Sequence, residues 1–201
     1  MAQRVLSVTS RSVEETRIIG ASLAPTLVPG DVISLTGDLG AGKTAFVQGV
    51  AAAMGVDTRV TSPSFTIVHE YEGRYRLIHL DVYRLDSFQE VLDLGFEEFL
   101  DPNSIVLVEW GEAISPLLPR RHLEVELRQA ADVEAVDERS IVFRPRGQEW
   151  IRKIQMMRET AEALLDAASP ETSEGARFVV TTDPFAREHM QNNEPPIEQE
   201  G

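Results

Sequence analysis

The chain has 201 residues, enough for one domain with its own core, and 19 basic against 33 acidic residues give a net charge of −14. That balance opposes extensive direct contact with a phosphate backbone, and the lack of cysteine excludes disulfides, thiolate zinc sites and cysteine nucleophiles. No apolar run approaches the roughly 18 residues of a membrane span and the opening MAQRVLSVTSRS lacks a signal-peptide core, so a cytoplasmic location is expected.

Along the chain, Ser12-Val-Glu-Glu15 is a capping box, and Val13, Ile18, Ile19 and Leu23 follow at helical spacing. Pro25 and Pro29-Gly30 end that helix. A buried strand is predicted from Val32 to Leu35, then a glycine loop, then a helix through FVQGVAAAM capped by Gly55. Phe65–Tyr71 and Arg74–Leu80 flank Glu72-Gly73 and predict an antiparallel hairpin. Ser87-Phe-Gln-Glu90 is a second capping box, opening a short helix with Val91, Leu92 and Leu94 that closes at Gly95. Ile105–Val108, Leu123–Leu127 and Ile141–Phe143 are strand-like runs. Trp150, Ile151, Ile154, Met157, Ala161, Leu164 and Leu165 recur every three or four residues, an amphipathic helix. The chain thus divides into a domain over 1–150, a helix over 151–168 and a polar, acidic tail over 169–201 expected to be disordered, with a brief strand at Phe178–Val180. The fold class is α/β, a three-layer sandwich whose mixed sheet joins central parallel strands to an antiparallel hairpin.

The stretch Gly37-Asp38-Leu39-Gly40-Ala41-Gly42-Lys43-Thr44 fits G-x-x-x-x-G-K-[ST]. Glycines let backbone N–H groups turn inward around phosphate oxygens, and the next helix points its positive end at them. Lys43 adds a full charge near the β- and γ-phosphates, and Thr44 offers a hydroxyl to Mg²⁺. Ordinary residue frequencies produce this pattern by chance in roughly one per cent of chains this long. Lys43 is also one of only two lysines, with Lys153. Such a loop needs an acid at a neighbouring strand end. Leu77–Leu80 runs into Asp81 and Ile105–Val108 into Glu109. Either carboxylate could bind the ion, hold its waters or orient the attacking water. Thr61-Ser-Pro-Ser-Phe65 reads equally as a γ-phosphate-sensing segment or a plain polar turn. His69, His79, His122 and His189 form no metal-ligand spacing, and His79 reads as packed or hydrogen-bonded.

Taken in series, GDLGAGKT, SPSFTIVHEY, HLDVYRL, LGFEE and LVEW resemble the TsaE family, small bacterial P-loop ATPases of tRNA threonylcarbamoyladenosine biosynthesis. The resemblance spans about Thr9 to Trp150. It implies ATP and Mg²⁺ as cofactors and weak ATPase activity. It also implies partnership with TsaB and TsaD, which modify the adenosine beside the anticodon and would hold the tRNA themselves. It places the nucleotide on Gly37, Asp38, Gly40, Ala41, Gly42, Lys43, Thr44 and Ala45, with Trp110 and Arg139 beside it and a residue near Val13 lining the base pocket. It places Mg²⁺ on Thr44, Glu109 and Asp81, Asp81 being the Walker-B-type acid, and makes Lys43, Asp81 and Glu109 the catalytic set. Ser64 stands where the family usually has threonine, and Gly111 where proline is common, which would loosen the loop holding Trp110. Nothing is inherited beyond Trp150. The alternatives are a small-molecule P-loop kinase and a non-hydrolysing nucleotide switch; guanine is disfavoured, since neither lysine sits in an N/T-K-x-D motif.

Overall fold

The computed structural model describes residues 4–85, 90–91, 95–130, 137–168 and 178–182. Eight strands form one sheet: β1 (Arg4–Ser10), β2 (Val32–Thr36), β3 (Val68–Glu72), β4 (Arg76–Asp81), β5 (Ser104–Glu109), β6 (His122–Gln129), β7 (Arg139–Arg146) and β8 (Phe178–Thr182). Their spatial order is β3-β4-β5-β2-β6-β7-β1-β8. The four central strands β4, β5, β2 and β6 are parallel. The flanks are antiparallel on both sides: the β3–β4 hairpin at one edge, and β7, β1 and β8 at the other. The α-helices with bounds among the described residues are α1 (Val13–Leu23), α2 (Lys43–Ala53), α3 (Phe96–Phe99) and α4 (Gln148–Ala168).

The central strands are apolar because both their faces are covered. Every residue of β2 and β5 is buried. Ile33, Leu35, Ile105, Leu107, Leu123 and Val125 pack with α1, α2 and α4 in the larger core. Val32, Ile78, Leu80, Val106 and Val108 pack on the opposite side with Phe96 and Ile114. Each such side chain contributes about 1.5–3 kcal/mol relative to exposure.

Helix α1 starts where the sequence places it. Ser12 is the N-cap and its hydroxyl accepts the Glu15 N–H at 3.1 Å. The Glu15 carboxylate turns back to the N–H of Arg11 at 2.7 Å, one residue before the cap. Helices α1 and α2 then meet backbone to backbone. A Cβ on Gly20 would lie 2.3 Å from the Phe46 carbonyl oxygen, and one on Gly49 would lie 2.0 Å from that of Arg17. This reciprocal contact locks the middle of α1 onto the first half of α2.

Three elements differ from the sequence reading. Strand β1 was not anticipated; it sits between β7 and β8, with Val5, Leu6 and Val8 buried. The first hairpin strand begins at Val68 rather than Phe65, because Ile67 adopts a left-handed φ of 68° that breaks the extension. In α4 the inward stripe is Trp150, Ile154, Met157, Ala161 and Leu165, whereas Ile151 and Leu164 face solvent. The strand anticipated at Phe178–Val180 is present as β8, Phe178–Thr182. Ser87, Leu92 and Leu94 of the second capping box and its helix lie outside the described residues, as does the rest of 169–201. Gly95, predicted to close that helix, has φ 69° and leads into α3.

Candidate functional site

Strand β2 delivers the chain into the glycine loop at Gly37, and Lys43 opens α2 six residues later. Gly37 has φ 125°, and a Cβ there would lie 2.0 Å from the Leu127 carbonyl oxygen on β6, so only glycine lets the loop leave the sheet at this point. Gly42 caps α2 in the left-handed region, φ 105°. This aims the first amides of α2 into the loop, the arrangement that binds anions. Asp38, Leu39 and Gly40 are exposed, Ala41 is buried beneath the loop, and Ala45 lies half-buried in the first turn of α2.

Lys43 is buried, only 4 % exposed. Its ammonium donates to the carbonyls of Gly37 at 2.5 Å and Asp38 at 2.9 Å, and lies 3.6 Å from the centroid of the Trp110 ring. Burial lowers the Lys43 pKa below that of a free lysine, against the opposing pull of Glu109, Glu112, Asp81 and Asp38. An anion in the loop would offset that penalty by favouring the charged ammonium.

The two acids end adjacent parallel strands in register, Asp81 on β4 beside Glu109 on β5. Both are buried, at 4 % and 3 % exposure. Glu109 Oε1 accepts the Thr44 hydroxyl at 2.8 Å and faces His79 Nε2 at 2.9 Å. Asp81 Oδ2 accepts the hydroxyls of Ser62 and Ser64, the latter at 2.9 Å, and its Oδ1 accepts the Tyr83 N–H at 3.1 Å. The Thr61–Phe65 segment is therefore docked on Asp81. It rejoins the sheet through Ile67, whose carbonyl accepts the Asp81 N–H at 3.0 Å. A β-branched residue in the left-handed region costs on the order of 1–2 kcal/mol, so this docking holds strain beside the acid.

Trp110 is itself left-handed, φ 64°, and its N–H is held by the Leu35 carbonyl at 2.8 Å. Its ring stacks on Tyr83 with centroids 4.7 Å apart. Gly111 does not leave this loop slack: it is buried against β2, and a Cβ there would lie 2.1 Å from Ser34 Oγ. Arg139 opens β7 and is 8 % exposed, its Nε 3.9 Å from where a Gly42 Cβ would stand. Val13, at the start of α1, is 42 % exposed.

Leu39, Gly40, Gly42, Lys43, Thr44, Ser62, Ser64, Asp81, Tyr83, Glu109 and Trp110 line one cleft of about 300 Å³. The structure thus brings Lys43, Thr44, Asp81, Glu109 and Trp110 together, and sets Arg139 beside the loop. The sequence reading missed Tyr83, Ser62 and Ser64 as partners of these residues, and gave His79 no link to Glu109. The signal for His79 was its spacing: two residues before Asp81 on a strand, it shares that acid's face.

The donors fit a phosphate chain with Mg²⁺. A hydroxyl and two carboxylates are hard oxygen ligands, and Mg²⁺ takes one or two carboxylates and completes its shell with phosphates and water. Among the described residues no three His, Asp or Glu side chains could hold a metal by themselves. No helix among the described residues is long and apolar enough to cross a membrane.

A family model described as "Threonylcarbamoyl adenosine biosynthesis protein TsaE" matches residues 10–141. The tRNA threonylcarbamoyladenosine biosynthesis protein TsaE of Bacillus subtilis is 44 % identical over 131 residues, covering 65 % of this chain and 79 % of the relative. That of Treponema pallidum is 40 % identical over 123 residues, covering 61 % and 91 %. The crystal structure of Bacillus subtilis YdiB superposes with a TM-score of 0.64 at 35 % identity, covering 81 % of this chain and 97 % of that one.

Proposed function

Because the chain belongs to the TsaE family of tRNA threonylcarbamoyladenosine biosynthesis, we propose that it is a Mg²⁺-dependent ATPase supporting the TsaB–TsaD pair. The observation that carries this reading is the convergence of Lys43, Thr44, Asp81 and Glu109 on one cleft at the mouth of the glycine loop.

In this reading the loop amides and Lys43 hold the β- and γ-phosphates, and Lys43 exchanges its bonds to the Gly37 and Asp38 carbonyls for phosphate oxygens. The Thr44 hydroxyl donates its hydrogen to Glu109 while keeping lone pairs for the ion. When bound, Mg²⁺ neutralises charge on the β- and γ-oxygens. Asp81, at the head of the Ser62–Ser64 segment, completes the ion's surroundings and orients water toward the γ-phosphorus. Trp110 and Tyr83 wall the cleft, and Arg139 lies beside the nucleotide. Hydrolysis forms a bond from the water oxygen to the γ-phosphorus, breaks the bond to the β,γ-bridging oxygen, and releases ADP, phosphate and a proton to solvent. Its use would be turnover of the TsaB–TsaD assembly, which holds the tRNA; the chain's charge of −14 suits a component that need not touch tRNA. Such work places the protein in the cytoplasm.

Lys43→Ala is expected to abolish ATP binding or turnover, and Glu109→Ala to lower Mg²⁺-dependent phosphate release by about 10²-fold or more. Wild-type hydrolysis by Lys43→Ala would sink the assignment. The role itself is tested by reconstitution with TsaB–TsaD, tRNA and threonylcarbamoyl-adenylate, counting modified tRNA per complex. Dependence on this chain beyond the first turnover is expected. A labelled small acceptor formed from ATP without partners would instead identify a kinase, and phosphate release at background even with partners a non-hydrolysing switch.

A further inference from the structure

We propose that His79 is a positioning residue for the metal-facing acid, acting through Glu109; the inference rests on the Mg²⁺–ATP reading above. Three observations carry it. His79 is completely buried, with Nε2 2.9 Å from Glu109 Oε1. Thr44 donates to that same oxygen at 2.8 Å. And His79 Nδ1 has no hydrogen-bond partner among the described residues.

An ionised carboxylate only accepts, so Nε2 carries a proton and donates to Glu109. Nδ1 is left without a partner among the described residues, a cost that Leu or Ile at this position would not carry. His79 sits between Ile78 and Leu80 on β4, both buried, where an apolar side chain would fill the interior at no such cost. What the imidazole supplies instead is a fixed direction for Glu109. Two donors from different elements, β4 and α2, converge on Oε1. Rotation of the carboxylate would break both bonds, so its second oxygen has one orientation in the site. Thr44 is held by the same junction, so His79 fixes the geometry of both groups that would face the ion.

The test uses the full-length protein, Mn²⁺ as the probe ion and adenylyl-imidodiphosphate as the nucleotide. Mn²⁺ bound to the protein–nucleotide complex is counted by electron paramagnetic resonance, and metal-free nucleotide affinity is measured by calorimetry. His79→Ala is expected to weaken Mn²⁺ binding by about tenfold to a hundredfold while changing metal-free nucleotide affinity by no more than about twofold. His79→Gln, whose amide N–H reaches toward Oε1, is expected to recover most of the loss. On a Glu109→Ala background, His79→Ala is expected to add less than about twofold, because its effect passes through the missing carboxylate. Should His79→Ala fail to fold, His79→Leu, which fills the space without a donor, takes its place. A merely stabilising His79 would lower the melting temperature and leave Mn²⁺ affinity of the folded protein unchanged, and that result overturns the proposal. So does a His79→Gln variant no better than His79→Ala, or an undiminished loss on the Glu109→Ala background. Wild-type protein that binds no Mn²⁺–nucleotide removes the ATPase reading and this inference together, whereas normal binding by wild type and His79→Ala alike removes only the inference.

Discussion

Gly37 shows how one residue sets the mouth of the cleft. Its φ of 125° and the 2.0 Å separation between a Cβ and the Leu127 carbonyl oxygen leave no room for alanine. Gly37→Ala must displace β6 or the loop, at a cost of roughly 3 kcal/mol or more. Urea denaturation is expected to show that loss, and calorimetry the loss of nucleotide binding with it. The motif made Gly37, Lys43 and Thr44 legible, because a phosphate loop is local: its residues are neighbours in the chain. The partners were less legible. Ser62 and Ser64 reach Asp81, and His79 reaches Glu109, only because β3 folds back on β4 and β4 lies in register with β5. That register is a property of the sheet, and no short window of sequence contains it.

At the scale of elements, the α1–α2 contact is the most exacting. Gly49→Ala would press a methyl group onto the Arg17 carbonyl, where a Cβ has only 2.0 Å, and the helices would have to separate. An expected loss of about 2–3 kcal/mol in urea denaturation would mark overpacking at a backbone contact, the upper part of its usual range. Helix α4 is the opposite case, an element joined to the core by side chains. Trp150, Ile154, Met157, Ala161 and Leu165 are buried in the larger core, and Lys153 pairs with Asp31 at the entrance to β2. Truncation after Arg146 would remove that stripe together with β8 and bare the core surface they cover, each lost apolar side chain accounting for about 1.5–3 kcal/mol. The truncated protein is expected to lose its cooperative thermal transition. Helix α4 was readable because its period runs over several turns. Strand β1 was not: Leu6, Val8 and Ser10 alternate inward over a single short stretch, and partners far along the chain, β7 and β8, make it a strand.

Across the whole molecule, buried charge sets the response to acid. On the sheet, Glu126 of β6 pairs with Arg144 of β7 at 2.6 Å and with Arg128, and Glu124 lies 3.5 Å from Arg144. Burial pushes the Glu126 pKa up, but Arg128 and Arg144 outweigh it and hold the carboxyl below 4.5, its ordinary value. A carboxyl lowered by folding stabilises fully above 4.5, and that stabilisation is lost as pH falls below 4.5 through the folded value. Glu126→Gln is expected to cost roughly 3 kcal/mol at neutral pH, since it leaves Arg144 with less compensation. It should also flatten the fall of melting temperature below pH 4.5 relative to wild type, which scans across pH would show. The α/β class and the parallel centre followed from the apolar runs at β2 and β5. The antiparallel extension through β7, β1 and β8 did not, because strand order depends on which edges meet, and β1 meets strands far along the chain.

The stacking of Trp110 gives the protein a built-in optical gauge. The chain has two tryptophans, and they sit in opposite circumstances. Trp150 is 1 % exposed in the core, so its emission is insulated from events in the cleft. Trp110 has an ammonium 3.6 Å from its ring and a phenol stacked on it, both on residues lining the cleft. Any ligand that draws Lys43 off that ring changes the field at the indole. In a Trp150→Phe background, fluorescence from this single reporter would follow occupancy in real time, without a label and without hydrolysis.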